Sequence, residues 1–441
     1  MKRKCLVIGI IFLFVGTFII PATAQNIETQ SLEGNWLYVG GSGPGNYSTI
    51  QDAVDASSDG DTVFVYDDSS PYYENIVINK KINLIGEDKY TTIIKRFEQN
   101  FVIAIITVDL VTVSGFTITS SKQDNYTGIQ ICSSFHTISG NIFERNEMGI
   151  VMFTSCYSTK IYNNIFQNNT IGIDIKGSSF NDIFNNSFLS NWIGIVVREG
   201  IGNTIANNTF IKREVGIHLG GNSNKIIDNV ILSQQWGIEI SNCSDNEIRS
   251  NNFSLNYYGI VIESNADNNT IQDNFLNHNL RNIKILSDCD YNLLEKNTIL
   301  NSSHYGMQVS GSYNEIQCNL IKDNYNVGIE ISGSNNNISY NTIENNIKGV
   351  VLLQDSRYNK ITFNNFIKNN GFFTYSFLQR RSHNVWDSNY WSSHIGKVKI
   401  IIGVTKIVLY YGYEKSFTIC LIRLNFDWHP AKEPYDIPGI I

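Results

Sequence analysis

Apolar and polar positions alternate along most of this chain in short runs, each holding two or three apolar rungs and each broken by Asn, Gly or Ser. Period-two alternation is strand chemistry, and runs this short leave no room for a helix between them. The breaks recur. A Gly-Ile pair stands at Gly128, Gly149, Gly172, Gly194, Gly216, Gly237 and Gly259, gives way to Asn282-Ile283, and returns as Gly306-Met307, Gly328 and Gly349-Val350, a period of roughly 21 to 24 residues. A second mark, N-x-I-x-x-N, keeps the same beat in NTIANN, NKIIDN, NEIRSN, NTIQDN, NEIQCN, NNISYN and NKITFN. Leucine-rich repeats have a similar period, but their strand is followed by a leucine-spaced helical segment that these units lack. The pattern therefore predicts coils of a parallel β-helix stacked at about 4.8 Å, the spacing of hydrogen-bonded strands.

Aligned on that beat, Ile129, Ile150, Ile173, Ile195, Ile217, Ile238, Ile260 and Ile283 form one inward column. Phe143, Phe166, Phe188, Phe210, Phe253 and Phe366 form another. Asn residues from Asn141 through Asn208 to Asn364 fill one corner, where their amides can bond from coil to coil as a ladder. Asn and Gly also tolerate the left-handed backbone that corners need. Solenoids need closed ends. At the start, Ser48 and Gln51 read as a capping box opening a short helix that carries Ile50, Ala53 and Val54 on one side. At the other end the repeat breaks and Trp386, Tyr390, Trp391 and Trp428 concentrate. The chain thus divides into a signal peptide (1–24), an N-terminal segment (25–45), a capping helix with the first coils (46–127), regular repeats (128–383) and a C-terminal cap (384–441).

Composition sharpens this picture in three places. Asn makes up roughly one residue in eight of the 441, far above ordinary usage, as the corner ladder requires. A net charge of -7 offers no basic face for nucleic acid, so no nucleic-acid partner is expected. The start, MKRKCLVIGIIFLFVGTFIIPATAQ, has the basic, apolar and small-residue order of a secretory signal cleaved after Ala24, or of an uncleaved anchor. Either form implies export, to the medium or the cell surface, with association with the cell envelope. Export gives weight to N-x-S/T sites such as Asn46, Asn125, Asn242, Asn301 and Asn337. It also makes a disulfide between Cys132 and Cys156 worth testing, because they fall on adjacent coils near one corner.

The opening T-I-Q-D-A-V-D-A, the strand ending in INLIGE and the N-x-I-x-x-N coils resemble the pectin-lyase-like right-handed β-helices, and more narrowly the NosD-type family built of CASH modules. The resemblance covers nearly the whole mature chain. It implies an all-β fold, a single-stranded right-handed parallel β-helix. For function it implies a wide field: polysaccharide enzymes, accessory proteins of copper-enzyme maturation and surface proteins. NYW at Asn389 to Trp391 is similar to the family's C-terminal ending, but the acidic stretch that often follows is missing, so no calcium is expected there.

Chemistry is expected on the outward positions of the strand after each Gly. In the middle coils Asp174, Lys176, Arg198, His218, Glu239 and Glu263 share one face. Glu239 and Glu263, one coil and two residues apart, are candidates for a glycosidase-like acid and base at a separation of several ångströms. His218 is a candidate for proton transfer and Arg198 for holding a uronate carboxylate. The same charges also suit a solvated sheet face laced with ion pairs. Beside them runs an aromatic row, Trp192, Trp236, Tyr258 and Tyr305, with Arg281 interposed, suited to stacking on sugar rings or to corner packing. Asp174 and Lys176 would supply edge hydrogen bonds to the same glycan. No cofactor is expected. Copper delivery would need soft or imidazole ligands, yet the seven His are dispersed and Met is scarce. The sequence reading is an exported surface β-helix that binds a polysaccharide or surface glycan without catalysis, with a polysaccharide lyase or glycoside hydrolase as the alternative and a copper-enzyme accessory as the third.

Overall fold

The computed structural model describes residues 34–95, 102–120, 126–353, 356–369, 371–375, 383–392, 399–410 and 416–438. The expected signal peptide and residues 25–33 of the N-terminal segment lie outside these residues, as do parts of the expected C-terminal cap. Among the described residues no helix is long and apolar enough to cross a membrane.

The described chain is a right-handed parallel β-solenoid of about 15 turns. Each regular coil contributes one strand to each of three parallel sheets. One coil, for example, runs Ile171–Lys176, then Asp182–Phe184, then Ser187–Leu189, and these pair with Ile193–Arg198, Thr204–Ala206 and Thr209–Gly220 of the next. In two coils the corner between sheets is lost, and Thr209–Gly220 and Val230–Ser241 run through as single strands. The Ile and Phe columns point inward as expected. Ile129 through Ile283 are fully buried, and Phe143, Phe166, Phe188 and Phe210 stack at centroid distances of 4.6 to 4.9 Å.

The recurrent Gly is explained by close approach. A Cβ on Gly194 would lie 2.5 Å from the Gly216 carbonyl oxygen of the next coil and 2.6 Å from the Phe210 ring. Where Asn282 replaces Gly, the side chain turns its amide to use, donating from Nδ2 to the Leu300 carbonyl at 3.2 Å.

The Asn reading needs enlarging, because there are three ladders rather than one. They run from Asn141 to Asn389, from Asn146 to Asn369 with breaks after Asn191 and Asn279, and from His136 through Thr159 and Asn181 to Asn384. At a typical rung Asn208 donates its backbone N–H and its Nδ2 to Asn229 Oδ1, at 2.9 and 3.1 Å, while Nδ2 also reaches the Ile183 carbonyl at 2.9 Å. The left-handed residue at each corner is the one before the ladder position, and it is not restricted to Asn or Gly: Phe180, Tyr291 and Tyr313 adopt φ of 55°, 59° and 57°. The ladder's hydrogen bonds hold these corners in a conformation that bulky side chains ordinarily avoid. The N-x-S/T triplet at the Asn208 corner begins at Asn207, which is exposed, whereas Asn208 is 1% exposed within its ladder.

The N-terminal helix spans Ile50–Ala56, and its Ile50, Ala53 and Val54 are fully buried in the common core. The capping box is corrected. Thr49, not Ser48, is the N-cap, accepting from Asp52 N, while the Ile50 and Gln51 N–H groups go to the Glu74 carboxylate at 2.8 and 2.9 Å. A carboxylate from the next coil satisfies the helix start better than a local side chain can, and it sits at the positive end of the helix dipole. Toward the C-terminus Trp386 and Trp391 join the core, whereas Trp428 is exposed. Strands Lys399–Tyr410 and Ser416–Asp427 pair antiparallel. Asp427, fully buried, ends the first ladder by accepting Asn389 N, Asn389 Nδ2 and Trp391 Nε1 on Oδ2.

Candidate functional site

The sheet built on the Gly-Ile strands carries three outward rows. In the first, register places Val215, Trp236, Tyr258, Arg281 and Tyr305 side by side on successive coils. The second runs Asp174, Val196, His218, Glu239, Val261, Lys284, Gln308 and Glu330. The third includes Lys176, Arg198 and Gly220, and further on Ser241 and Glu263. Trp192 does not belong to the aromatic row. Register pairs Ile193, not Trp192, with Val215 and Trp236, because Trp192 sits two residues before its Gly instead of one; it is exposed at the preceding corner.

Outward does not mean wet. Val151, Val196, Val261 and Val351 are buried between their long neighbours, and they divide the polar face into separate clusters. In the first, Arg198 Nη1 lies 2.8 Å and Lys176 Nζ 3.7 Å from Asp174 Oδ2. The Asp174 side chain is 0% exposed, so its expected role as a ligand contact is corrected: it lies beneath the two cations that cover it. Burial raises its pKa although the Arg198 and Lys176 charges oppose that shift. Arg198 is therefore already paired, and Lys176 also lies against the Phe153 ring, 5.3 Å from its centroid.

The second cluster joins His218, Glu239 and Glu263. His218 Nδ1 lies 3.0 Å from Glu239 Oε2, and Glu263 stands diagonally from Glu239 on the strand of the next coil, opposite Ser241. The His218 hydrogen bond holds the Glu239 pKa below the usual carboxylate range; burial, then the adjacent Glu239, push that of Glu263 up. The expected acid and base thus stand on adjacent coils of one face, with Glu239 engaged by His218.

A third cluster extends the face. Gln308 Nε2 donates to Glu330 Oε1 at 2.9 Å, and burial raises the Glu330 pKa. Beside it Tyr258 is engaged by cations: Arg281 lies 5.2 Å and Lys284 5.4 Å from its ring centroid, and Arg281 Nη1 donates to Tyr258 Oη at 3.2 Å. Tyr257, which the sequence reading passed over, also contacts Arg281 at 5.5 Å. Its only signal was the Tyr-Tyr pair before Gly259.

The disulfide expectation is corrected. Cys132 is exposed and free, whereas Cys156 is buried with Sγ on the Ile131 carbonyl at 3.3 Å. Cys132 leaves its strand on the outward phase, and Cys156 turns inward at the corner.

Among solved structures, the catalytic domain of a GH87 alpha-1,3-glucanase in complex with nigerose aligns at a TM-score of 0.50 with 13% identity, over 80% of this chain and 69% of that one. A periplasmic alginate epimerase aligns at 0.45 with 13% identity, over 75% and 84%. The Dettilon tailspike protein aligns at 0.46 with 15% identity, over 73% and 67%. At such identities these likenesses speak to the fold alone. No curated protein matches the chain. A family profile does, over residues 63–181, 167–292 and 213–407, and by this coverage the chain belongs to the family described as periplasmic copper-binding protein (NosD).

Proposed function

We propose that this protein is exported and binds a polysaccharide or surface glycan on the face that carries Trp236, Tyr258 and Tyr305, without catalysing its cleavage. The observation that carries this reading is the register itself. Half-exposed aromatic side chains stand on Trp236, Tyr258 and Tyr305 next to a parallel row of hydrogen-bonding groups on Glu239, Lys284 and Gln308. Aromatic surface beside polar side chains suits sugar rings, whose faces are apolar and whose edges carry hydroxyls. That structural neighbours include proteins named for a glucanase and an alginate epimerase agrees with a glycan ligand.

A lyase or hydrolase is the second reading, and one observation favours it. Glu239 and Glu263 have pKa values displaced in opposite directions, the pattern that separates a general acid from a general base. The family description names copper, so the residues were compared with what copper needs. Among the described residues no three of His, Cys, Asp or Glu come together as a metal set. Cys156 and Cys243 are spent on backbone carbonyls, with thiols pushed up to about 11 and about 12 by burial. These residues do not fit a copper site, and no step is assigned to one.

A glycan array probed with the purified protein, followed by reducing-end and unsaturated-product assays on each hit, tests the proposal. Binding without product supports it. Product formation on a bound glycan establishes the second reading, and an array with no hits overturns both.

A further inference from the structure

Resting on the glycan-binding reading, we propose that Arg281 and Lys284 form an anion-recognising subsite, and that the glycan bound by this face carries carboxylate or sulfate groups.

The two side chains project from one strand, Arg281–Ile285, on adjacent outward rows. Arg281 stands between Tyr258 and Tyr305; Lys284 stands between Val261 and Gln308. Unlike Arg198 and Lys176, which Asp174 holds, neither has a carboxylate within ion-pair distance among the described residues. Of the nearby acids, Glu330 is engaged by Gln308, and Glu263 acts on Lys284 only from beyond ion-pair distance.

Both cations are held in place by aromatic rings rather than by anions. The Tyr258 ring has Arg281 and Lys284 at 5.2 and 5.4 Å from its centroid, and Tyr257 supports Arg281 at 5.5 Å. Such contacts orient a cation without neutralising it. Arg281 uses one guanidinium N–H on Tyr258 Oη, and the rest of its fork remains to grip an oxyanion in bidentate fashion. Both residues are half-buried, which strengthens their attraction for an anion over that of a fully solvated side chain. Two cations with positions fixed and charges unspent, within an aromatic strip, fit an acidic sugar: the ring lies along the strip and its anionic group meets Arg281 and Lys284. The chain's net charge of -7 gives no general attraction for polyanions, so any preference for them must arise locally.

The test compares binding of polygalacturonate (carboxylate), dextran sulfate (sulfate) and unmodified dextran (neutral) by titration calorimetry at low and high salt. It uses the full chain, the Arg281→Gln/Lys284→Gln double variant and Trp236→Ala. The proposal expects an anionic polymer to bind more tightly than dextran and to lose affinity with salt. It expects the double variant to lose on the order of tenfold or more, as removal of charge-assisted contacts implies, with an unchanged melting curve. Preference between the first two polymers identifies the anionic group. Dextran bound as tightly as either polyanion, or a double variant that retains wild-type affinity for the polyanion, overturns the anion subsite while leaving glycan binding intact. If none of the polymers binds and Trp236→Ala alters nothing, the glycan reading falls with it.

Discussion

Replacing Asn229 with Ala isolates the energetic role of the corner ladders. Asn229 Nδ2 donates to the Ile205 carbonyl at 2.8 Å, to the Ile227 carbonyl at 3.1 Å and to Asn251 Oδ1 at 3.0 Å. Its Oδ1 accepts Asn208 N at 2.9 Å and Asn208 Nδ2 at 3.1 Å. Truncation removes these three donated and two accepted bonds. Asn208 Nδ2 keeps the Ile183 carbonyl and Asn251 Oδ1 keeps Asn229 N, so neither is stranded. The buried Asn208 N–H loses its acceptor, whereas the Ile227 carbonyl keeps Asn207 N at 3.1 Å and Ile205 stays within its sheet. At about 1 to 3 kcal/mol for the buried donor left unpaired and up to about 1 kcal/mol for each carbonyl that loses one of its bonds, the expected loss is about 2 to 4 kcal/mol. Asn268→Gly is the control: Asn268 is exposed, holds φ at 54°, and precedes a ladder Asn without being one. Glycine accepts that backbone freely, so its change should stay within about 0.5 kcal/mol. Urea unfolding followed by far-UV circular dichroism reads both, with the transition slope checked for constancy. If the Asn229→Ala midpoint matches wild type or the control, the ladder is a consequence of the fold and does not hold it together.

Three further outcomes are expected. Trp236→Ala with Tyr258→Ala should weaken glycan binding by about 1 to 3 kcal/mol, the scale of losing aromatic contacts, whereas Glu239→Gln should leave binding largely intact; calorimetry on an array hit separates the two, and equal affinity of the double variant rejects the strip. Glu330 has its pKa raised by burial, so the stability tied to its protonated form is complete below the unfolded carboxyl pKa and is lost as pH rises through the folded value. Glu330→Gln should therefore raise the unfolding midpoint at neutral pH and bring no gain below about pH 4, and an identical shift at both would refute the assignment. In the native protein maleimide should label Cys132 first and leave Cys156, Cys243 and Cys289 unlabelled until urea exposes them, because only the first is exposed and burial suppresses the other thiolates.

The architecture was legible because a solenoid repeats its instructions. Eight isoleucines at one phase, from Ile129 to Ile283, all turn out fully buried, and no single coil had to be read correctly for the column to emerge. The ladders were under-read for the opposite reason. Asn146 and Asn181 stand at corners whose preceding residues vary from Arg145 to Phe180, so no fixed dipeptide marks them, and the left-handed strain falls on that variable neighbour. At the site, register was recoverable but direction and depth were not. Period two identifies Asp174 as outward, yet nothing in the alternation reveals that Arg198 and Lys176 close over it. The diagonal relation of Glu239 and Glu263 was readable along the backbone, but not that His218 Nδ1 would meet the Glu239 carboxylate. Trp192 was misplaced by one position, which on a strand is the difference between two faces.

The ladders also give the solenoid an electrical direction. Along the first ladder every amide from Asn141 to Asn364 donates to the Oδ1 of the next coil, so the dipoles in that corner all point the same way and polarise one another. A stack of this kind accumulates donor character at its later end. That is where Asp427 places a carboxylate against Asn389 and Trp391, a negative charge meeting the positive pole. Since each coil receives the pattern and passes it on unchanged, a whole coil can be added or removed without disturbing this polarity. Length then behaves as a ruler graduated in steps of about 4.8 Å, free to vary between two fixed electrical ends.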